Sequence, residues 1–349
     1  MVDSTSLIDS VSSPRISVVM PAYNAEDTIE EAIESILNQE ASDFELLVID
    51  DGSTDATPEL IQIWEQQDAR LIYHRQPHKG ITSALNLGLR EARGRYIARM
   101  DADDISFPNR LQLQSDYLDR NNGVGVISGK VRFKGLEEDY NGYARYVEWV
   151  NSLDSENDIS LNRFIESPIP HPSVMFRRWI VETLGGYRDG DFPEDYELWL
   201  RWMNAGIRFH KLDQVILQWH DHPARLSRNH PRYHRMAFHR IKAYYLSRWL
   251  ELYNPFHPEV VIWGSARSNR KRAKLLERHG IRITAFVDVN PNKFGQKIHG
   301  IPVWSPDELP EAGSCFVIPF VATRGANSDI ADVLEAKHYR EGIDYLFGA

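Results

Sequence analysis

Between residues 16 and 100 short apolar runs alternate with segments of helical periodicity, and this alternation limits the fold more than any other feature of the chain. ISVVMPAY (16–23), FELLVID (44–50), RLIYHR (70–75) and RYIARM (95–100) read as strands. Between them, NAEDTIEEAIESILNQ, TPELIQIWEQQ (57–67) and ITSALNLGLREA (81–92) read as helices, with Pro58 near the start of the second. In the first helix Ile29, Ala32, Ile33, Ile36 and Leu37 recur at helical spacing, Asn24 is available as N-cap, and acids fill the first turn. Strands and helices alternating at this length imply a parallel sheet with helices on both faces. Ligands of such sheets sit at the carboxyl ends of the strands.

The remaining chain extends this α/β pattern. Its 349 residues suit two domains, at roughly 100–200 residues each. Residues 109 to 228 give a mixed signal: helix-like NRLQLQSDYLDRN, an irregular Tyr- and Trp-bearing stretch (137–165), then HPSVMFRRWIVETLGG and EDYELWLRWMNAG. A basic, aromatic helical connector (231–252) ends at Pro255 and Pro258, after which EVVIWGSA, RKRAKLLERHG, RITAFVD, SCFVIPF and SDIADVLEAKH start a second α/β pattern. The expected organisation is a disordered, Ser-rich tail (1–14), a first α/β domain (15–228), a connector (229–254) and a smaller second domain (255–349).

Composition excludes several classes. A net charge of −10 argues against a dedicated nucleic-acid binder, while leaving room for an anionic ligand at a site that a metal reverses in sign. The single cysteine, Cys315, rules out a disulfide framework and a cysteine-based zinc site. The N-terminus lacks a signal-peptide profile, and no apolar run approaches the roughly 18–20 residues that cross a bilayer. A cytoplasmic protein is expected.

The chemistry-bearing residues fall at strand ends. RMDADDISF (99–107) places Asp101, Asp103 and Asp104 within four positions. Such carboxylates repel one another unless a cation or a shared proton compensates, and Mg²⁺ or Mn²⁺ commonly binds one or two carboxylates plus substrate phosphates. The spacing therefore points to a metal–diphosphate site, against the simpler reading of a solvated acidic turn. DDGSTD (50–55) joins acids to a glycine that lets backbone approach a ligand; an Asx-turn capped by Asp55 or Thr57 is the competing reading. In PEDYELWLRW, Glu194 and Asp195 precede an amphipathic helix, where they either complement its dipole or take a proton from an attacking hydroxyl.

Together, ISVVMPAYNAEDTIEEAIESILNQ, FELLVIDDGSTD, HKGITSALNLGL, RGRYIARMDADD and PEDYELWLR occur in the order that resembles the family-2 glycosyltransferases of the GT-A fold, over about residues 15 to 228. That resemblance implies a metal-dependent inverting glycosyltransferase with Mn²⁺ or Mg²⁺ as cofactor. Its substrates would be a nucleoside-diphosphate sugar, expected to be UDP-linked, and a saccharide or lipid-linked acceptor in bacterial surface glycan synthesis. It implies that Pro21, Ala22 and Tyr23 border the base, that Asp51 beside Asp50 reads the uracil or ribose, and that Lys79 and Gly80 line the nucleotide pocket. Asp101 and Ala102 would lie at the ribose and Asp103 at the metal with Asp104 in support, while Asp195 would be the general base with Glu194 its neighbour. HPSVMFRR (171–178) implies acceptor or phosphate contacts by His171 and Arg177. LQWHDHPARLS (217–227) resembles a closing motif in which Trp219 and His220 replace the usual Tyr-Arg, and it implies that His222 approaches the metal.

The second domain resembles a Rossmann-like unit with Asp288 at the tip of its second strand, but only Gly264 remains of the glycine fingerprint, so functional NAD binding is not expected. Phe238, Ile241, Tyr245 and Trp249 form a stripe on the connector that suits packing between domains, with peripheral membrane contact at an inner membrane face left open, as is self-association. Two rival functions remain on sequence grounds: a nucleotide-sugar-binding protein without turnover, and a metal-dependent phosphohydrolase.

Overall fold

The computed structural model describes residues 13–135, 142–221, 225–321, 323 and 325–348; residues 1–12 of the expected tail and His222 lie outside the described residues. In chain order the regular elements are β1 (Ile16–Ala22), α1 (Ile29–Leu37), β2 (Phe44–Asp50), α2 (Thr57–Gln67), β3 (Leu71–Arg75), α3 (Ile81–Glu91), β4 (Tyr96–Arg99), β5 (Ile105–Ser106), α4 (Arg110–Arg120) and β6 (Val124–Lys134). There follow α5 (Tyr143–Asn151), α6 (Glu156–Asn162), β7 (Met175–Arg177), α7 (Arg178–Leu184), α8 (Glu194–Asn204), β8 (Arg208–His220), α9 (Leu226–Asn229) and α10 (Arg235–Tyr253). The last elements are β9 (Glu259–Trp263), α11 (Arg267–Glu277), β10 (Arg282–Val287), β11 (Lys297–Ile298), β12 (Ile301–Trp304), β13 (Val317–Pro319) and α12 (Ala326–Ala336). By its contacts the chain divides into two compact units, Met1–Lys134 with His171–Gly186 and Leu212–His220, and Gly135–Pro170 with Tyr187–Lys211 and Asp221–Ala349.

The first unit is built on an eight-stranded sheet ordered β3-β2-β1-β4-β7-β6-β8-β5. Its β3, β2, β1 and β4 run parallel, and β7 turns antiparallel to β4. Every residue of β1, β2 and β4 is buried, as expected of parallel strands covered on both faces. Helix α1 buries Ile29, Ala32, Ile33, Ile36 and Leu37, the stripe expected from their spacing.

In the second unit a five-stranded sheet has the order β11-β12-β10-β9-β13, with all strands but β11 parallel. One core cluster joins Tyr196 and Leu200 of α8 to Ile241, Tyr245 and Trp249 of α10 and to Val260, Ile262 and Phe286 of this sheet, with Phe238 packed against it. The apolar stripe of the connector thus faces protein and not lipid. Among the described residues no helix is long and apolar enough to cross a membrane.

Two expectations change. Asn24 does not cap α1, whose N-cap is Thr28. Asn24 adopts φ 47°, and its Oδ1 accepts a 2.9 Å bond from the Thr54 amide while its own amide donates to Ser53 Oγ at 2.9 Å. A short polar side chain tolerates this left-handed conformation, so the residue joins two strand-end loops instead of starting a helix. The stretch read as irregular contains α5 and α6, the latter opened by a capping box between Ser155 and Asp158; residues 136–141 lie outside the described residues. The segment HPSVMFRRWIVETLGG, part of the mixed signal, holds β7 before α7.

Candidate active site

Strands β2 and β4 flank β1, so the loops after these three strands emerge side by side at one edge of the sheet. Asp101, Asp103 and Asp104 each offer a carboxylate oxygen within 4.8 Å of the others. Their mutual repulsion is countered from beneath. Arg99, only 2% exposed, pairs with Asp101. Fully buried Arg110 donates to the Arg99 carbonyl at 2.6 Å; burial brings its guanidinium down to about 9, the charge of Asp104 acting in the opposite sense. The loop is also fastened to the end of β8. Ile105 pairs with Gln218, the His220 amide donates to Asp104 Oδ1 at 2.8 Å, and His220 Nδ1 lies 2.6 Å from the Asp103 carbonyl.

These residues fit a hard divalent cation. Their donors are all carboxylate oxygens, the chemistry Mg²⁺ and Mn²⁺ prefer. Oxygens on opposite sides of a six-coordinate ion at about 2.1 Å stand about 4.2 Å apart, close to the span of the cluster.

At the ends of β1 and β2, Pro21 and Ala22 are buried, and the Ala22 carbonyl accepts the Asp51 amide at 2.9 Å. Tyr23, 44% exposed, stacks on His78 with ring centroids 4.1 Å apart and planes inclined by 28°. The pair presents an aromatic surface of the type on which a base rests. The carboxylates of Asp50 and Asp51 are both engaged within the protein. Asp50 accepts from the Ser53 amide (2.8 Å) and the Tyr73 hydroxyl (3.1 Å) and lies 3.2 Å from Arg75 Nε. Burial, then the charge of Asp50, push the Tyr73 hydroxyl up to about 12, so it stays a donor. Asp51 accepts from the amides of Lys79 (3.0 Å) and Gly80 (2.7 Å) and from Gln76 Nε2 (2.6 Å), and lies 2.9 Å from His78 Nδ1. It anchors the loop that carries the exposed Lys79 side chain.

Gly52 makes this anchoring possible. Its φ is 78°, and a Cβ there would fall 2.7 Å from the His78 amide nitrogen. Gly52→Ala is expected to destabilise the protein by about 1–3 kcal/mol, read as a lower denaturation midpoint. An unchanged midpoint would show that the loop yields freely.

The two residues expected on the acceptor side are interior. His171 is 8% exposed, and burial with the nearby charge of Arg99 holds its ring well below the usual histidine range, hence neutral. Arg177 was expected to contact acceptor or phosphate, yet its guanidinium donates to the carbonyls of Val124 (2.8 Å), Leu118 (2.5 Å) and Asn121 (3.2 Å). That geometry makes it a tie for the turn after α4.

In the second unit Glu194 and Asp195 occupy the first turn of α8, behind Pro193 at the N-cap. Glu194 is 2% exposed; the Tyr233 hydroxyl lies 2.8 and 2.7 Å from its carboxylate oxygens, and Arg232 Nη1 is 3.6 Å away. Burial, followed by the charges of Glu194 and Asp195, pushes Tyr233 far above the usual phenol range, so it remains a donor. One turn on, Glu197 is held by Arg201 at 3.0 Å and by the Tyr245 hydroxyl at 2.5 Å. Asp195 is only half-buried. Tyr233→Phe leaves Glu194 without its shortest partner and is expected to cost about 1–3 kcal/mol, measured by chemical denaturation; a loss below about 0.5 kcal/mol would mean that water replaces the hydroxyl.

His78, Arg75, Arg99 and His220 enter the site as contacts that the sequence reading did not single out for these roles. Only proximity gave a signal: His78 precedes the Lys-Gly pair and Arg99 precedes the acidic run.

The family model described as Glycosyl transferase family 2 matches residues 17–184, and one described as CoA binding domain matches residues 257–338. EpsE of Bacillus subtilis (strain 168), a glycosyltransferase by name, is 33% identical over 211 residues, covering 59% of this chain and 72% of EpsE. The UDP-Gal:alpha-D-GlcNAc-diphosphoundecaprenol beta-1,3-galactosyltransferase of Escherichia coli is 29% identical over 209 residues, 59% of this chain and 74% of that one. The chain spans 24% of the Rickettsia bellii relative, an uncharacterized glycosyltransferase to which it is 34% identical over 181 residues. The crystal structure of S. aureus TarS in complex with UDP-GlcNAc shares the fold, with a TM-score of 0.50 at 15% identity over 76% of this chain and 71% of that one.

Proposed function

The chain belongs to glycosyl transferase family 2, and from that premise we propose that it moves a sugar from a nucleoside diphosphate to an acceptor hydroxyl with inversion at the anomeric carbon. The observation that carries this reading is the acidic loop after β4, three carboxylates converging within 4.8 Å beside the loops of β1 and β2. Uridine diphosphate is the proposed leaving group, and a saccharide or lipid-linked saccharide the proposed acceptor. The E. coli galactosyltransferase, whose name specifies a UDP-sugar and a diphosphoundecaprenol-linked acceptor, supports both.

Each residue has a part in this proposal. The stacked Tyr23 and His78 rings border the base, and Asp50 and Asp51 hold the loops that carry them. Asp103, with Asp101 and Asp104, is proposed to hold Mn²⁺ or Mg²⁺, which when bound supplies positive charge against the departing diphosphate. Asp195 takes the acceptor hydroxyl's proton as its oxygen bonds to the anomeric carbon from the face opposite the breaking bond to the diphosphate. The electron pair of that bond leaves with the nucleotide. No covalent intermediate with the protein forms.

A panel of nucleotide sugars, screened for thermal stabilisation with and without Mn²⁺, tests the donor side. Stabilisation by UDP-linked members only when metal is present is the expected result, and no shift with any nucleotide would overturn the proposal. Release of phosphate from simple phosphoesters without an acceptor would mark a phosphohydrolase instead.

A further inference from the structure

Helix α10 is covered by protein along most of its girth. From Ala237 to Leu250 its exposed residues are Arg240, Tyr244 and Arg248, one every four positions, and Leu252 continues the row at 66% exposure. Residues four apart share a helix face, so these four form one narrow row beside the buried stripe of Ile241, Tyr245 and Trp249. Tyr244 stands within it: the Arg248 guanidinium carbon lies 5.6 Å from its ring centroid, and the His279 ring meets it edge-on with centroids 5.6 Å apart. Burial, then the charges of Arg248 and Arg278, lower His279 below the usual histidine range, so at neutral pH its ring adds contact and no charge.

Helix α11, packed against α10, extends this surface. It buries Ala273, Leu275 and Leu276 and exposes Arg267, Lys274 and Arg278, spaced by seven and then four residues. Arg240, Arg267, Lys274 and Arg278 make no ion pair among the described residues. None of them lines the cavity at the strand ends of the second sheet. Residues 235–282 hold eleven Lys and Arg against three acids, Glu251, Glu259 and Glu277, in a chain of net charge −10. Of those acids Glu251 pairs with Arg248 at 3.0 Å and Glu259 with Arg282. The segment is therefore an island of positive charge on an acidic protein.

Cations alone would suit any polyanion. Here a tyrosine stands among them and a leucine ends their row, both open to solvent. A ring with an apolar body and a polar tip suits a boundary between water and hydrocarbon, and basic side chains beside such residues are drawn to anionic headgroups. We propose that this face of α10 and α11 docks on an anionic lipid surface, with Arg240, Lys274 and Arg278 at the headgroups and Tyr244 and Leu252 entering the boundary with the acyl chains. The apolar stripe that the sequence offered to a membrane is buried in the core; the docking face is the cationic row beside it. The proposal makes no use of sugar transfer, so it stands or falls separately from that reading.

The test is co-sedimentation of the full chain with vesicles of phosphatidylcholine alone and of phosphatidylcholine mixed in equal parts with phosphatidylglycerol. Pelleting is expected with the anionic vesicles only, and salt should release the protein. At about fivefold per cation near the surface, Arg240→Gln/Lys274→Gln/Arg278→Gln should lower the partition by about a hundredfold at an unchanged denaturation midpoint. Tyr244→Ser/Leu252→Ser separates lipid from soluble polyanions: it should lower the vesicle partition by about tenfold or more and leave retention on a sulfonate column unaltered. No pelleting with the anionic vesicles, or equal pelleting of the triple variant, would overturn the proposal. Vesicle binding indifferent to Tyr244→Ser/Leu252→Ser would also overturn it, marking instead a surface for a soluble acidic partner.

Discussion

Asp195→Asn is expected to lower turnover by about 10²–10⁴-fold, the usual contribution of a general base, while donor binding is largely retained. Asp195 is chosen over its neighbour because it is the more accessible of the two carboxylates. Glu194 is buried against Tyr233 and Arg232, a position that fixes the turn. Asp195 is half-buried in the first turn at the positive end of α8. Asparagine preserves the shape and removes only the capacity to accept a proton, so a fall in turnover with an unchanged denaturation midpoint would isolate that role. Glu194→Gln is the control: it should lower stability first, because it weakens a buried contact. Full activity in Asp195→Asn would remove the residue from the mechanism.

The second large effect is expected at the acidic loop. Asp103→Ala should abolish metal-dependent stabilisation by UDP. A ligand at about 100 times its dissociation constant adds about 2.7 kcal/mol, which for a protein of this size is a shift of several degrees, and that shift should vanish. Asp103 is the position that the proposal places at the metal. Asp101 pairs with Arg99, and Asp104 accepts the His220 amide and supports Arg110, so replacing either would confound ligand loss with exposed buried arginine. A Mn²⁺-dependent UDP shift persisting in Asp103→Ala would place the metal elsewhere.

The alternation of strand and helix in residues 16–100 was legible because each element carries its own pattern: β1 and β2 are short, mostly apolar runs, and α1 repeats at 3.6 residues. The positions of both acidic clusters followed from it, since they end the two parallel strands that flank β1. What stayed hidden depends on contacts between distant segments. The 13-residue β8 contains RFHKLDQVILQWH, with charged residues interrupting any clean alternation, and its pairing with the two-residue β5 has no local signature. Asn24 looks like a helix cap until Ser53 and Thr54 are placed beside it. Arg177 looks like an anion ligand until the three carbonyls of the α4 turn are seen around it. The arginines beneath the acidic loop were likewise unreadable, because Arg99 and Arg110 are charged residues in positions a pattern assigns to the surface.

The bond from the His220 amide to Asp104 links residues 116 positions apart. A peptide or grafted hairpin carrying only the acidic run would thus lack half of its own framework, so the run is portable in spelling but not in shape. Engineers who wish to transplant it must carry the distant strand as well, and natural variation in that strand should retune how the acids are aimed.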